Sequence, residues 1–129
     1  MCPSEQWDTA FAWQDISNGG GLLVFGRDWP IVPCDVRKAV PHAVSRTPWF
    51  DGARDQSVSL QQALEAYTAN AARTAYSAAV RGTLEPGMLA DLTILSGDAG
   101  VLEDPEAPQP EILLTICDGQ ITWDGRKKA

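Results

Sequence analysis

The sequence predicts an α/β fold on three observations: a continuous apolar run at residues 22–25, a helical stripe opening at Ser59, and two strand-like runs joined by Asp118 and Gly119. Continuous apolar runs suit strands covered on both faces, whereas apolar residues spaced three and four apart suit one face of a helix. The two periods in one chain imply layers of both kinds.

Taken in order, Trp7, Phe11 and Trp13 precede Ile16, and Asn18 leads into Gly19, Gly20 and Gly21, which predicts a short helix over 7–16 stopped by a glycine cap. Leu22, Leu23, Val24 and Phe25, ending at Gly26, predict a buried strand over 22–26. Arg27, Asp28, Trp29 and Pro30 then place charge at the strand's C-terminal end, where α/β folds build their sites. A further helix is expected over 36–45. At Ser59 and Gln62 an S-x-x-Q capping box opens a helix over 59–79, with Leu60, Ala63, Leu64, Tyr67, Ala71, Ala75 and Ala78 on its stripe.

The period changes after Gly82. Glu85, Pro86 and Gly87 read as a turn and residues 92–95 as a strand. Residues 96–111, with three prolines and five acidic groups, read as a solvated loop. Residues 112–117 and 120–123 read as a hairpin, since Asp-Gly favours a type I′ turn.

Composition narrows the chemistry. Seventeen acidic against ten basic side chains give a net charge of −7, which argues against a nucleic-acid partner, because phosphate binding relies on clustered Lys and Arg. The short basic tail of Arg126, Lys127 and Lys128 does not change that. One histidine in 129 residues excludes a histidine-rich metal site within the chain. The three cysteines, Cys2, Cys34 and Cys117, are too far apart for a C-x-x-C knuckle, and Cys34 and Cys117 are expected as small buried hydrophobes. No run approaches the roughly 18 apolar residues of a membrane span. A reducing, cytoplasmic setting with no membrane partner is the expectation.

The motifs FGRDWP, SLQQALEAYTANAA, GTLEPGMLADLTIL and ILLTICDGQITW, in that order, resemble the C-terminal end of the amidohydrolase superfamily, in particular its N-substituted formamide deformylase-like and exoenzyme regulatory protein-like branch. The G-x-[IL]-x-P-G-x-x-A-D pattern from Gly82 to Asp91 is the most specific of them. The resemblance implies an α/β fragment. Residues 1–81 would be the end of a (β/α)₈ TIM barrel, with its last strand at 22–26 and helix at 59–79, and residues 82–129 the C-terminal part of a composite β-sandwich. A complete barrel of that kind takes roughly 200 residues or more.

For function, the resemblance implies a metal-dependent hydrolase of non-peptide C–N bonds of the amide or formamide type, with a small-molecule substrate and a divalent metal, zinc, in the full-length family. Asp28 matches the position of a catalytic, metal-contacting carboxylate, effective only with the missing barrel portion. The isolated chain, lacking the family's other histidines and its lysine, is expected to hold no metal and to be incompetent alone. Arg27 stands where the family has a small hydroxyl residue.

Other readings stay open. Asp28 as a turn-capping residue is the structural alternative. His42 reads as a surface or packing residue, and Trp29, Trp49 and Phe50 as loop packing more than pocket lining. The second functional reading is a stand-alone, non-enzymatic binding or regulatory protein derived from such a fragment. In either case the uncovered edge of 22–26 is expected to pair in a homo-oligomer or to rearrange against the chain's own helix.

Overall fold

A computed structural model describes residues 9–127 except Trp49. Its elements are α1 (Trp13–Asn18), α2 (Val36–Val44), α3 (Leu60–Tyr67), α4 (Ala69–Thr74), β1 (Leu92–Leu95), β2 (Ile112–Cys117) and β3 (Gln120–Asp124), with a 3₁₀ helix at Ala99–Glu103.

The glycine stop forms as expected: the Gly21 N–H donates to the Ile16 carbonyl across Gly20 at φ 81°, which ends α1 in a Schellman-type cap. Helix α1 starts only at Trp13, and Trp7 lies outside the described residues. Helix α2 matches its expected span, with Asp35 capping it through the Arg37 amide. The Ser59–Gln62 capping box is complete: the Gln62 N–H donates to Ser59 Oγ at 3.1 Å and the Ser59 N–H to Gln62 Oε1 at 2.8 Å.

The single helix expected over 59–79 is instead two. It breaks at Thr68, whose backbone leaves the helical region and whose Oγ1 donates to the Leu64 carbonyl at 2.7 Å. Such back-bonding competes with the helical ladder and bends it. Helix α4 ends early because Tyr76 takes a positive φ of 55° and the Ser77 N–H closes onto the Ala72 carbonyl.

Val40, Ala43, Val58, Ala63 and Leu102 form the core, with Trp13, Leu23, Phe25, Leu64 and Tyr67 packed around it. Leu102 comes from the stretch expected to be a solvated loop. Its 3₁₀ helix, opened by Asp98 accepting from the Gly100 amide, folds that side chain under α2 and α3, where it is 3% exposed. Among the described residues Gln56 is the buried polar one, and its Oε1 accepts from the Asp15 N–H at 3.0 Å.

The three strands make one antiparallel sheet in the order β1-β2-β3. Asp118 at φ 48° and Gly119 at φ 75° give the expected primed turn. Register places Leu92 opposite Ile116, Ile94 opposite Leu114, and Ile121 opposite Ile116, so these aliphatic side chains share one face, at whose edge Asp124 stands opposite Leu114. The Ala-Asp of the sequence motif joins the strands: Asp91 Oδ1 accepts from the Asp118 N–H at 2.8 Å, and the Ala90 carbonyl accepts from the Gly119 N–H at 3.1 Å. Gly82 brings the chain off α4 at a distance no side chain tolerates, since a Cβ there would lie 2.7 Å from that of Ala72.

Candidate functional site at the 22–34 segment

The expected strand at 22–26 does not form. Its residues are extended but join no ladder, because no neighbouring strand exists among the described residues, and they dock instead on the chain's own helices. The Phe25 N–H donates to the Ala66 carbonyl at 3.1 Å, and Asn70 Nδ2 donates to the Leu23 carbonyl at 3.0 Å. The burial expected on both faces is replaced by alternation. Leu23 and Phe25 point into the core while Leu22 and Val24 are exposed. The Phe25 ring is clasped between Trp13 and Tyr67, at centroid distances of 5.0 and 5.6 Å. Burial pushes the Tyr67 hydroxyl above its ordinary pKa, and the nearby charge of Arg27 opposes that shift.

Beyond Gly26 the chain turns sharply. The Asp28 carbonyl accepts from the Ile31 N–H at 2.7 Å and the Val32 N–H at 3.3 Å, and the Trp29 N–H donates to the Arg27 carbonyl at 2.9 Å. Asp28 thus closes its turn through its main chain, not through its carboxylate, which stands exposed. Arg27 folds away from that carboxylate, with Nε donating to the Pro33 carbonyl at 2.9 Å. The ion pairs among the described residues include neither Arg27 nor Asp28.

The loop then runs into a firm anchor. Arg37 grips Asp35 through Nε and Nη2, both at 2.8 Å, and reaches the Pro110 carbonyl at 2.9 Å with Nη1. Hydrogen bonding from that guanidinium, against some desolvation, holds the Asp35 carboxyl below its ordinary range.

The remaining expected residues do not gather around Asp28. His42 is exposed on α2, Trp29 is 68% exposed, Phe50 is half-buried, and Trp49 lies outside the described residues. Cys34 and Cys117 are exposed, which corrects their expected burial: one follows a loop proline and the other ends β2 at the hairpin. Cys2 lies outside the described residues. A depression of about 230 Å³ among residues 83–92 is lined by none of the 22–34 segment.

The donor set tests the implied metal directly. Among the described residues no three His, Cys, Asp or Glu side chains come together as a cation site requires, so these residues alone do not fit a divalent metal. Arg27, Asn70 and Arg37, which build the loop's support, went unrecognised as a site framework. Asn70 lies within the SLQQALEAYTANAA motif, but nothing in that motif marks the side chain that reaches Leu23.

Comparison with known proteins gives a consistent picture. Residues 3–123 match the model of the amidohydrolase family. A Bacillus subtilis (strain 168) protein named "Putative amidohydrolase YtcJ" is 30% identical over 127 residues, covering 93% of this chain and 24% of that protein. Protein LONG AFTER FAR-RED 3 of Arabidopsis thaliana is 37% identical over 93 residues, covering 67% of this chain and 15% of that protein. The crystal structure of an amidohydrolase from Thermotoga maritima MSB8 superposes with a TM-score of 0.61 at 21% identity, over 92% of this chain and 26% of the other. The chain therefore spans about a quarter or less of the length of each.

Proposed function

Because this chain belongs to the amidohydrolase family, we propose that it is the C-terminal portion of a metal-dependent hydrolase acting on non-peptide C–N bonds, of the formamide deformylase-like branch, and that Asp28 is the carboxylate it contributes. The observation that carries this reading is the placement of Asp28: an exposed carboxylate heading a tethered loop, directly after an extended segment docked on α3 and α4. The division of the chain at residue 82 into a barrel end and a sandwich end is part of the same proposal. It draws support from the separate packing of the helical core and the sheet.

On this reading the chain supplies one carboxylate to a site whose other ligands lie elsewhere in the protein, and does not hydrolyse amides alone. The chemistry open to Asp28 is proton transfer, its carboxylate accepting a proton from the attacking water. The substrate is a small amide, whose recognition lies mainly with βα loops that this chain does not contain.

The test combines product size and activity. A native-host product of several hundred residues that hydrolyses simple formamides or cyclic amides, with Asp28→Asn lowering kcat by about a hundredfold or more, supports the proposal. Stoichiometric zinc or amide hydrolysis in the isolated 129-residue chain, or an Asp28→Asn variant at full rate, overturns it.

A further inference from the structure

We propose that Arg27 is a positioning residue, whose Nε–H, donated to the Pro33 carbonyl, closes the loop that presents Asp28. This rests on the reading of Asp28 above. The loop has few other ways to hold its shape. Pro30 and Pro33 lack N–H groups, and Trp29 and Ile31 are 68% and 77% exposed, so neither main-chain pairing nor burial fixes it from outside.

What remains is a short chain of hydrogen bonds. The Ile31 and Val32 amides converge on the Asp28 carbonyl, the Trp29 amide bonds Arg27, and the Arg27 side chain spans the mouth to Pro33. Both ends of that span are anchored. Behind Arg27, Phe25 is clasped by Trp13 and Tyr67, and beyond Pro33, Asp35 caps α2 and is held by Arg37, which also ties down Pro110. Arg27 therefore links two fixed points, and Asp28 sits between them.

The geometry also accounts for a large cation beside the carboxylate. The donor used is Nε, and the charge lies within electrostatic reach of Tyr67 while making no ion pair with Asp28. A serine or threonine at this position would be too short to reach Pro33. The function assigned to Arg27 thus depends on the length of its side chain and on one N–H, not on its charge.

Two substitutions separate these properties. In Arg27→Gln the side-chain amide nitrogen occupies the place of Nε and keeps a neutral donor, while Arg27→Met keeps the length and removes the donor. Amide hydrogen exchange on the 129-residue chain reads the loop at Ile31 and Val32, with the amides of α3 as the folding control. We expect exchange at Ile31 and Val32 to rise about three- to tenfold in Arg27→Met and to stay within about twofold in Arg27→Gln, with α3 unchanged.

Unchanged exchange in Arg27→Met overturns the proposal, as does Arg27→Gln exchanging as fast as Arg27→Met. In the hydrolysing full-length form, Arg27→Met lowers kcat with KM unchanged and Arg27→Gln restores it. If Asp28→Asn has no effect on turnover while the exchange results hold, the catalytic reading of Asp28 fails and the loop closure by Arg27 stands.

Discussion

The helical region and the three-stranded sheet reach order by different means. The helices bury Val40, Ala63, Ala66 and Ala72 against one another, and Leu102 is folded in from a loop. No residue of β1, β2 or β3 is buried, although one face of the sheet carries Leu92, Ile94, Leu114, Ile116 and Ile121. The sheet is held by its ladders and by polar staples at its ends, Asp91 at the hairpin turn and Asp124 at the end of β3. An apolar sheet face gains burial only from a covering layer, whereas helices of modest length cover each other.

The largest expected effect tests that contrast directly. Leu102→Ala should cost about 3 kcal/mol of stability, because it removes a 3% exposed side chain from the core. Ile121→Ala, at a position 57% exposed, should cost less than about 0.5 kcal/mol. Urea unfolding of the two variants measures both, and equal losses would mean that the sheet face is covered in solution.

A middle-sized effect belongs to the junction. Gly82→Ala forces a Cβ against Ala72 at φ 102° and should cost about 2 kcal/mol, read as a lowered thermal midpoint. A neutral outcome would show that the fold does not depend on the chain's close approach to α4 at Gly82.

The smallest effect concerns the sheet's polar staples. Hydrogen bonding from the Arg126 guanidinium, partly offset by desolvation, lowers the Asp124 carboxyl to about 2. A depressed carboxylate pKa contributes stability that is complete above the unfolded value of about 3.9 and is lost as pH falls toward the folded one. Carboxyl NMR should show Asp124 titrating near 2, with the end of β3 loosening over that interval. A midpoint near 4 would remove Asp124 from the staples.

The local devices were legible in the sequence. The Ser59–Gln62 box, the glycine stop after α1 and the Asp118–Gly119 turn all act within a few residues, so residue type and spacing suffice to specify them, whereas the Gly82–Asp91 motif, legible as a pattern, acts across twenty-seven residues when Asp91 accepts from the Asp118 N–H. Asp28 stands out in the sequence through the FGRDWP motif, by its resemblance to the family's carboxylate position. Its support does not, because Arg27 bonds across six residues and Asn70 across forty-seven.

The sequence by itself determined that a capped helix would begin at Ser59 and that residues 112–123 would fold as a hairpin. Tertiary structure alone decided that residues 22–26 would lie on α3 and α4 rather than in a sheet, and that Leu102 would be core. Strand pairing and burial require a neighbour, and no local pattern specifies whether one is present. Where residues 22–26 find no second strand, the helix surface satisfies Phe25 and Leu23, and Asp28 is left at the exposed end of that contact.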